Sequence, residues 1–195
     1  MKALGFGLPL DRSALEAALD RLVSDYPLAD ARVRIDVLPE PPADYDTQAT
    51  VLIALAPHEP VPEELLAHGV AVRLTATLRR EQPEIKKTRF VLERRPFPLQ
   101  TRECYEHVLV DETGRLLECT SANFFGVRRG ALWTVRERVL EGITREVLYR
   151  IAAEQGIAVV HEPITLASYA GLDEAFLTSS TRGIVPVLQI EDALL

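Results

Sequence analysis

Leu116-Leu-Glu-Cys-Thr-Ser-Ala-Asn-Phe-Phe-Gly-Val127 is the stretch of the chain that decides the fold. Its apolar and alternating residues predict two strands, over residues 116–118 and 123–127, joined by a short turn. Glu118 lies in this stretch among apolar neighbours. A carboxylate that becomes buried in such surroundings is able to hold a protonated ring nitrogen of a ligand.

The residues around this stretch predict more strands. Strands at 107–110 and 131–134 complete an antiparallel meander, because Asp111-Glu-Thr-Gly114 and Arg128-Arg-Gly130 have the composition of hairpin turns. Further along, the pattern predicts a helix, a strand, a short helix and two more strands, at 143–155, 157–160, 166–169, 175–178 and 184–189.

The beginning of the chain predicts a separate small module. Ser13-Ala-Leu-Glu16 has the form of a capping box and opens a predicted helix over residues 11–25. Two strands, a short helix and another strand follow, at 32–37, 49–56, 62–68 and 70–77. The prediction is an α+β protein with a small domain over residues 1–80 and a β-rich domain over residues 81–195.

Composition excludes several classes of function. The chain has 195 residues, of which 47% are apolar and 26% charged, and its net charge is −7. The positive charges are scattered, which argues against a nucleic-acid-binding protein. Gly5, Gly7 and Pro9 interrupt the first apolar stretch and no apolar run has membrane length, so a cytoplasmic protein without a membrane segment is expected. Cys104, Cys119 and the four histidines lack metal-ligand spacing, so two reduced thiols and no metal site are expected.

Three features are able to carry chemistry, and each has a plain structural alternative. The loop Leu140-Glu-Gly-Ile-Thr-Arg145 leads into a helix, whose N-terminus is either an anion site or an ordinary glycine turn. The turn Thr178-Ser-Ser-Thr181 either donates hydrogen bonds to an anion or satisfies its own backbone. Lys86-Lys87, in a strand-like context, is either a solvated basic linker or contains a nucleophile for a carbonyl group.

Four segments together resemble the class IV aminotransferase family. They are Gly114-Arg-Leu-Leu-Glu-Cys-Thr-Ser-Ala-Asn-Phe-Phe125, Gly142-Ile-Thr-Arg145, Asp173-Glu-Ala-Phe176 and Ser179-Ser-Thr-Arg-Gly-Ile-Val-Pro186. Their order and approximate spacing are those of the family, which includes branched-chain and D-amino acid aminotransferases and 4-amino-4-deoxychorismate lyase. The Glu-Cys-Thr-Ser-Ala-Asn-Phe segment is most similar to the lyase branch.

The resemblance implies a two-domain fold of the D-amino acid aminotransferase type, with pyridoxal phosphate bound to the domain at 81–195. Lys86, at the start of Lys86-Lys-Thr-Arg-Phe90, is implied to form a Schiff base with the cofactor and to transfer protons; assigning that role to Lys87 requires a further deletion. Glu118 is implied to pair with the pyridine nitrogen. The backbone N–H groups of Ile143 and Thr144, with the hydroxyls of Thr144, Ser180 and Thr181, are implied to hold the phosphate. Asn123 is expected to be a structural residue of the meander.

The chain departs from the family pattern in three places. Met1-Lys-Ala-Leu-Gly5 aligns with a point inside the small domain, so the arginine that grips the phosphate in the family has no counterpart here. Phe90 stands where branched-chain aminotransferases have a tyrosine, and a phenyl ring cannot donate a hydrogen bond. Residues 90–105 contain Pro96 and Pro98, which interrupt the continuous helix usual in the family.

Three functions follow as expectations. The first is a lyase that releases pyruvate from aminodeoxychorismate to give 4-aminobenzoate, and the second is a transaminase for branched-chain or D-amino acids. The third is a non-catalytic shortened relative that serves as a binding or assembly module. A homodimer with a small-molecule substrate is expected, because the family places its site near a subunit interface.

Overall fold

The computed structural model describes residues 11–44, 47–97, 99–101 and 103–195. The expectations that concern Gly5, Gly7, Pro9 and Pro98 lie outside these residues. The chain divides into two compact units, Met1–Pro60 and Val61–Leu195.

The first unit contains helix α1 (Arg12–Ser24) and strands β1 (Ala31–Val37) and β2 (Val51–Pro57). The helix begins at Asp11, whose carboxylate accepts a hydrogen bond from the Ala14 N–H at 3.2 Å. This is an N-cap of the usual kind, and it replaces the predicted capping box of Ser13 and Glu16. Strands β1 and β2, which the sequence predicts as strands, pair antiparallel.

The second unit contains three helices and a large sheet in the described residues. The helices are α2 (Glu63–His68), α3 (Thr88–Glu93) and α4 (Ile143–Glu154), with a short 3-10 helix at Tyr169–Gly171. The strands are β3 (Val70–Thr75), β4 (Glu106–Val110), β5 (Leu116–Cys119), β6 (Asn123–Arg128), β7 (Ala131–Trp133), β8 (Val159–Val160), β9 (Glu174–Ser179), β10 (Gly183–Ile190) and β11 (Ala193–Leu194). The predicted α+β class is confirmed.

The order of strands in the sheet is β5-β4-β3-β10-β9-β6-β7-β8, and β11 pairs with β10. One face carries the main apolar core, in which Phe124 and Leu177 are paired across β6 and β9. The adjacent residues Phe125 and Phe176 stack at 5.2 Å between ring centroids. Tyr149 of α4 meets Phe125 edge to face, so α4 packs on this second face of β6 and β9.

The observed division of the chain differs from the predicted one in the unit to which strand β3 belongs. The sequence places residues 70–77 in the small domain, which was expected to end at residue 80. In the structure β3 runs parallel to both β10 and β4, and the division falls between Pro60 and Val61. Val70 and Val72 of β3 are buried in the core of the large sheet, and Val72 is fully buried.

Several predicted elements differ in the structure. The four-strand meander is wrong: β5 pairs with β4 and β6 pairs with β9 and β7, so β5 and β6 are not ladder neighbours. Lys86-Lys87 is not strand-like but precedes α3, with Lys87 at the N-cap. The short helix predicted at 166–169 is a 3-10 turn three residues later. Helix α3 ends at Glu93, before Pro96, so the predicted interruption of the family helix is confirmed for the described residues.

Candidate active site

Glu118 is the buried carboxylate that the sequence singles out, and it lies on β5 with 2% of its surface exposed. Its Oε1 accepts a hydrogen bond from Arg80 Nη1 at 2.8 Å. Its Oε2 accepts one from the Leu140 N–H at 3.0 Å and one from Asn123 Nδ2 at 3.2 Å. The carboxylate is therefore held by three donors from three separate segments of the second unit.

The burial of Glu118 has an electrostatic consequence. Desolvation raises the pKa of Glu118 above its ordinary value, and the charge of Arg80 and the Leu140 N–H, which both favour the carboxylate, do not cancel that effect. A buried carboxylate in this state gains stability from each further cation or N–H donor that approaches it. Glu118 is thus suited to pair with a protonated ring nitrogen.

Asn123 joins Glu118 to the loop that precedes α4. Besides its bond to Glu118, Asn123 Nδ2 donates to the Leu140 carbonyl at 2.8 Å. Gly142 passes so close to this side chain that an added Cβ would collide with Asn123 Oδ1. The sequence assigned Asn123 a structural role in the meander, whereas the structure places its side chain in direct contact with the candidate site.

The N-terminus of α4 presents free backbone donors. Its N-cap is Gly142, and no side chain caps the helix. Ile143 is 75% exposed and Thr144 is half-buried. The N–H groups of a first helical turn have no partner within the helix, and together with the helix dipole they attract an anion.

Ser180 and Thr181 occupy the turn between β9 and β10 and are exposed. Thr178, at the end of the β9–β6 ladder, is opposite Asn123. Its hydroxyl is buried and has no hydrogen-bond partner in the part of the chain that the structure describes. The turn therefore begins close to Thr178, the strand residue opposite Asn123. The hydroxyl side chains of Ser180 and Thr181 are accessible.

Lys86 and Lys87 lie in the segment before α3, where Lys86 is exposed and Lys87 half-buried. Arg80 connects this segment to Glu118: its Nη2 donates to the Ile85 carbonyl at 3.4 Å, next to Lys86. The same guanidinium lies over the Phe90 ring, 5.2 Å from its centroid. The structure thus brings the lysine segment to Glu118 through Arg80 and not by a direct contact.

Sequence reasoning missed Arg80. It lies in a segment rich in Arg, Lys and Glu, a composition typical of a solvated linker. The sequence of this segment does not distinguish Arg80 from Arg79. Only the fold buries its side chain to 9% exposure against Glu118.

The residues present fit pyridoxal phosphate. Within the described ranges of the chain, Glu118 Oε1 accepts a single hydrogen bond. A carboxylate oxygen has two lone pairs, so one remains there for a ring N–H. The open N-terminus of α4 and the exposed hydroxyls of Ser180 and Thr181 are donors suited to a phosphate. Lys86 is an exposed amine that follows Ile85, whose carbonyl accepts a hydrogen bond from Arg80.

Other kinds of site find no support in the described residues. They contain no group of three or more His, Cys, Asp or Glu side chains able to hold a metal ion. Cys104 and Cys119 are both buried and free. No helix in residues 11–44, 47–97, 99–101 and 103–195 has the length and hydropathy required to span a membrane.

Comparison with known proteins gives relatives along the whole chain. A D-alanine aminotransferase of Listeria monocytogenes is 26% identical over 194 residues, covering 94% of this chain and 67% of the relative. A Methanocaldococcus jannaschii protein named, by inference, a branched-chain-amino-acid aminotransferase is 43% identical over 88 residues. That alignment covers 44% of this chain and 31% of the relative, so the chain aligns with one to two thirds of the length of these relatives.

Solved structures share the fold. The branched-chain aminotransferase of Thermoproteus uzoniensis, solved with norvaline, matches all of this chain and 69% of its own with a TM-score of 0.81 and 25% identity. The 4-amino-4-deoxychorismate lyase of Pseudomonas aeruginosa matches 95% of this chain and 72% of its own with a TM-score of 0.76. Because its identity is 24%, the second match supports the fold alone.

The family model described as amino-transferase class IV matches residues 1–190. The expected fold type and cofactor class are therefore confirmed. The chain belongs to the class IV aminotransferase family, whose members are pyridoxal-phosphate-dependent enzymes.

Proposed function

We propose that this chain binds pyridoxal phosphate and catalyses a reaction at the amino-bearing carbon of a small amino acid substrate. The observation that carries the proposal is the buried Glu118 carboxylate, which accepts hydrogen bonds from Leu140 in the loop that opens α4 and from Arg80. Arg80 in turn donates to the Ile85 carbonyl, next to Lys86. A candidate amine, a candidate ring-nitrogen partner and a candidate anion site all belong to the second unit, which supports the proposal.

Each residue has a separate task in the proposed reaction. The Lys86 amine would hold the cofactor aldehyde and, when free, would move a proton to and from the substrate Cα. Glu118 keeps the pyridine nitrogen protonated, because its own charge is buried and gains from a positive partner. The N–H groups of Ile143 and Thr144 and the hydroxyls of Thr144, Ser180 and Thr181 bind the phosphate. When bound, the cofactor supplies an electron sink for the electron pair left at the substrate Cα.

Transamination is the first candidate reaction. The Listeria relative that aligns with 94% of this chain is named a D-alanine aminotransferase, and the relative with 43% identity carries a branched-chain aminotransferase name. The lyase-like segment alone favours the lyase reaction, whereas the names of these relatives favour transamination.

The lyase reaction is the second candidate. It is favoured by the segment from Glu118 to Phe124, which resembles the lyase branch of the family, and by Phe90, which has no hydroxyl at the position of the aminotransferase tyrosine. In this reaction pyruvate leaves the substrate and the cofactor is unchanged at the end.

The first experiment tests cofactor attachment. Pyridoxal phosphate is added to the wild type, to Lys86→Ala and to the control Lys87→Ala, and the absorption of the lysine-bound cofactor is recorded. Borohydride reduction and mass analysis then locate the attached lysine. We expect the band in the wild type and in Lys87→Ala, its loss in Lys86→Ala, and an adduct on Lys86. A wild type without a band or adduct at either lysine would leave only the non-catalytic alternative.

The second experiment separates the two reactions. The loaded wild-type protein is incubated with D-alanine, leucine or aminodeoxychorismate. A transaminase converts the bound cofactor to its amino form and stops until a 2-oxo acid is added. A lyase releases pyruvate from aminodeoxychorismate over many turnovers without net change of the cofactor.

A further inference from the structure

A second buried ion pair lies beside the candidate site, between the turn that carries Ser180 and Thr181 and the turn that follows Glu118. Arg182 Nη2 donates to the Ser121 carbonyl at 2.9 Å, to the Ser121 hydroxyl at 2.8 Å and to Glu106 Oε1 at 3.2 Å. Arg182 Nε donates to the Ser179 hydroxyl at 3.1 Å. We refer to Glu106, Ser121, Ser179 and Arg182 as the turn brace.

Glu106 is the anchor of the turn brace. It lies at the start of β4 and is fully buried. Besides the bond from Arg182, its Oε2 accepts the Thr120 hydroxyl at 2.8 Å, and its Oε1 accepts the Ser121 hydroxyl. A buried carboxylate is costly unless it is paired and hydrogen-bonded. The pairing therefore holds the Arg182 side chain, which is 9% exposed, in one place.

The turn brace joins two turns that no strand ladder joins directly. The β6–β9 ladder ends at the pair Asn123 and Thr178. Beyond that pair, residues 120–122 and 180–182 are connected by the side chain of Arg182. The first turn follows Glu118, the proposed partner of the ring nitrogen, and the second contains the proposed phosphate-binding hydroxyls.

We propose that Arg182, held by Glu106 and Ser121, is a positioning residue that fixes the Ser180–Thr181 turn at the distance from Glu118 that the phosphate of pyridoxal phosphate requires. The inference rests on the proposed function. Four hydrogen bonds from one guanidinium restrict the turn on both sides of Ser180 and Thr181, at Ser179 and at Arg182 itself. A turn held in its binding geometry before the ligand arrives loses less conformational entropy when it binds.

The test compares two ligands that differ only in the phosphate. Pyridoxal phosphate and pyridoxal are titrated into the wild type, Arg182→Met and Arg182→Lys, and attachment to the protein is followed by absorption. We expect Arg182→Met to weaken pyridoxal phosphate binding about tenfold or more, a change of about 1.4 kcal/mol, while pyridoxal binding changes less than about twofold. Arg182→Lys keeps the charge but lacks the planar fork, so its loss should be intermediate.

A matched control removes a different Arg–Glu pair from the same unit. Arg73 Nη1 bonds to Glu191 at 3.4 Å, and this bond involves neither turn. Arg73→Met should leave the affinity ratio of the two ligands at the wild-type value. Should Arg182→Met fail to fold, Arg182→Lys carries the same comparison.

Each outcome decides the inference. If the Arg182 variants bind both ligands more weakly to the same extent, the turn brace supports only the fold in general. If the variants bind both ligands as the wild type does, the turn brace has no role in binding. If the wild type binds neither ligand, the proposed function fails and the inference fails with it. Binding by the wild type with an unchanged ratio in the variants overturns the inference alone.

Discussion

Gly142 sets how closely the loop before α4 approaches Asn123. Its backbone angles, φ −69° and ψ 141°, are open to any residue, so the requirement for glycine is not conformational. The requirement comes from the Asn123 side chain, because its Oδ1 lies too close to the position that a Cβ at residue 142 would take. Because Asn123 also bonds to Glu118 and to the Leu140 carbonyl, one methyl group at position 142 disturbs two hydrogen bonds of the site.

We therefore predict that Gly142→Ala weakens both the fold and the site. The added methyl group should lower the free energy of unfolding by about 1–3 kcal/mol, as overpacking does, and weaken pyridoxal phosphate binding. The matched control is Gly171→Ala, since a Cβ at Gly171 has no heavy atom within 4 Å; its effect should stay within about 0.5 kcal/mol. Urea unfolding and a cofactor titration measure both variants, and equal results for the two would contradict the prediction.

At this scale the sequence predicts some residues and misses others for a physical reason. Glu118 belongs to a segment whose local sequence is distinctive, and the structure places it beside the loop that opens α4. The phosphate-binding roles of Thr144 and Ser180 stay predictions. Arg80 and Arg182 acquire their positions only from tertiary contacts, with Glu118 and Glu106 respectively. No local pattern identifies an arginine that will be buried against a carboxylate 38 or 76 residues away.

Among the elements, the turn between β4 and β5 carries several ion pairs. Asp111 begins the turn with its side chain fully buried. It accepts the backbone N–H groups of Thr113 and Arg115 at 2.9 and 3.0 Å, and it pairs with Arg115 Nε at 2.7 Å and Arg138 Nη1 at 3.0 Å. Burial opposes the charge of Asp111, but these donors outweigh it and hold the pKa of Asp111 well below its usual range.

The lowered pKa of Asp111 gives a prediction for the pH dependence of stability. A carboxyl with a lowered pKa in the folded state stabilises the fold above its unfolded pKa, about 3.9, and loses that contribution as pH falls below it. Asp111→Asn should cost about 2 kcal/mol or more at pH 7, and its difference from the wild type should shrink below about pH 4. Urea unfolding at pH 7, 5 and 3.5 measures this change.

Glu112, the next residue of the same turn, is the control. Its side chain is half exposed and pairs with Arg138 at 3.2 Å. Exposed ion pairs contribute little, so Glu112→Gln should change the stability little at any of these pH values. A difference between Asp111→Asn and the wild type that is the same at pH 7 and pH 3.5 would contradict the assignment.

The same turn illustrates what sequence predicts about elements. Asp111-Glu-Thr-Gly114 correctly predicts a hairpin between β4 and β5, because turn chemistry is local. The pairing of β6 with β9 and not with β5 depends on strands about fifty residues apart, which a periodic pattern of apolar residues does not encode. The predicted meander fails at that point.

At the scale of the whole molecule we predict a homodimer. The family resemblance implies a site near a subunit interface, and large apolar side chains in both units remain well exposed, such as Val23 at 53% and Leu188 at 46%. Burial of such surface stabilises association. Sedimentation equilibrium at micromolar concentration should give twice the chain mass of 21.7 kDa, and a single-chain mass would contradict the expectation.

Strand β3 has a consequence for the order of events during synthesis. It lies between β10 and β4 in the sheet, and its neighbour across the sheet is nearly at the other end of the chain: Arg73 of β3 bonds to Glu191, 118 residues later. Such distant pairings are slow to form because the intervening chain must first be closed into a loop. Before β10 has been synthesised, β3 has an open edge whose backbone N–H and C=O groups are available to other chains. The open edge of β3 is therefore a place at which the nascent chain can associate with other chains before β10 pairs with it.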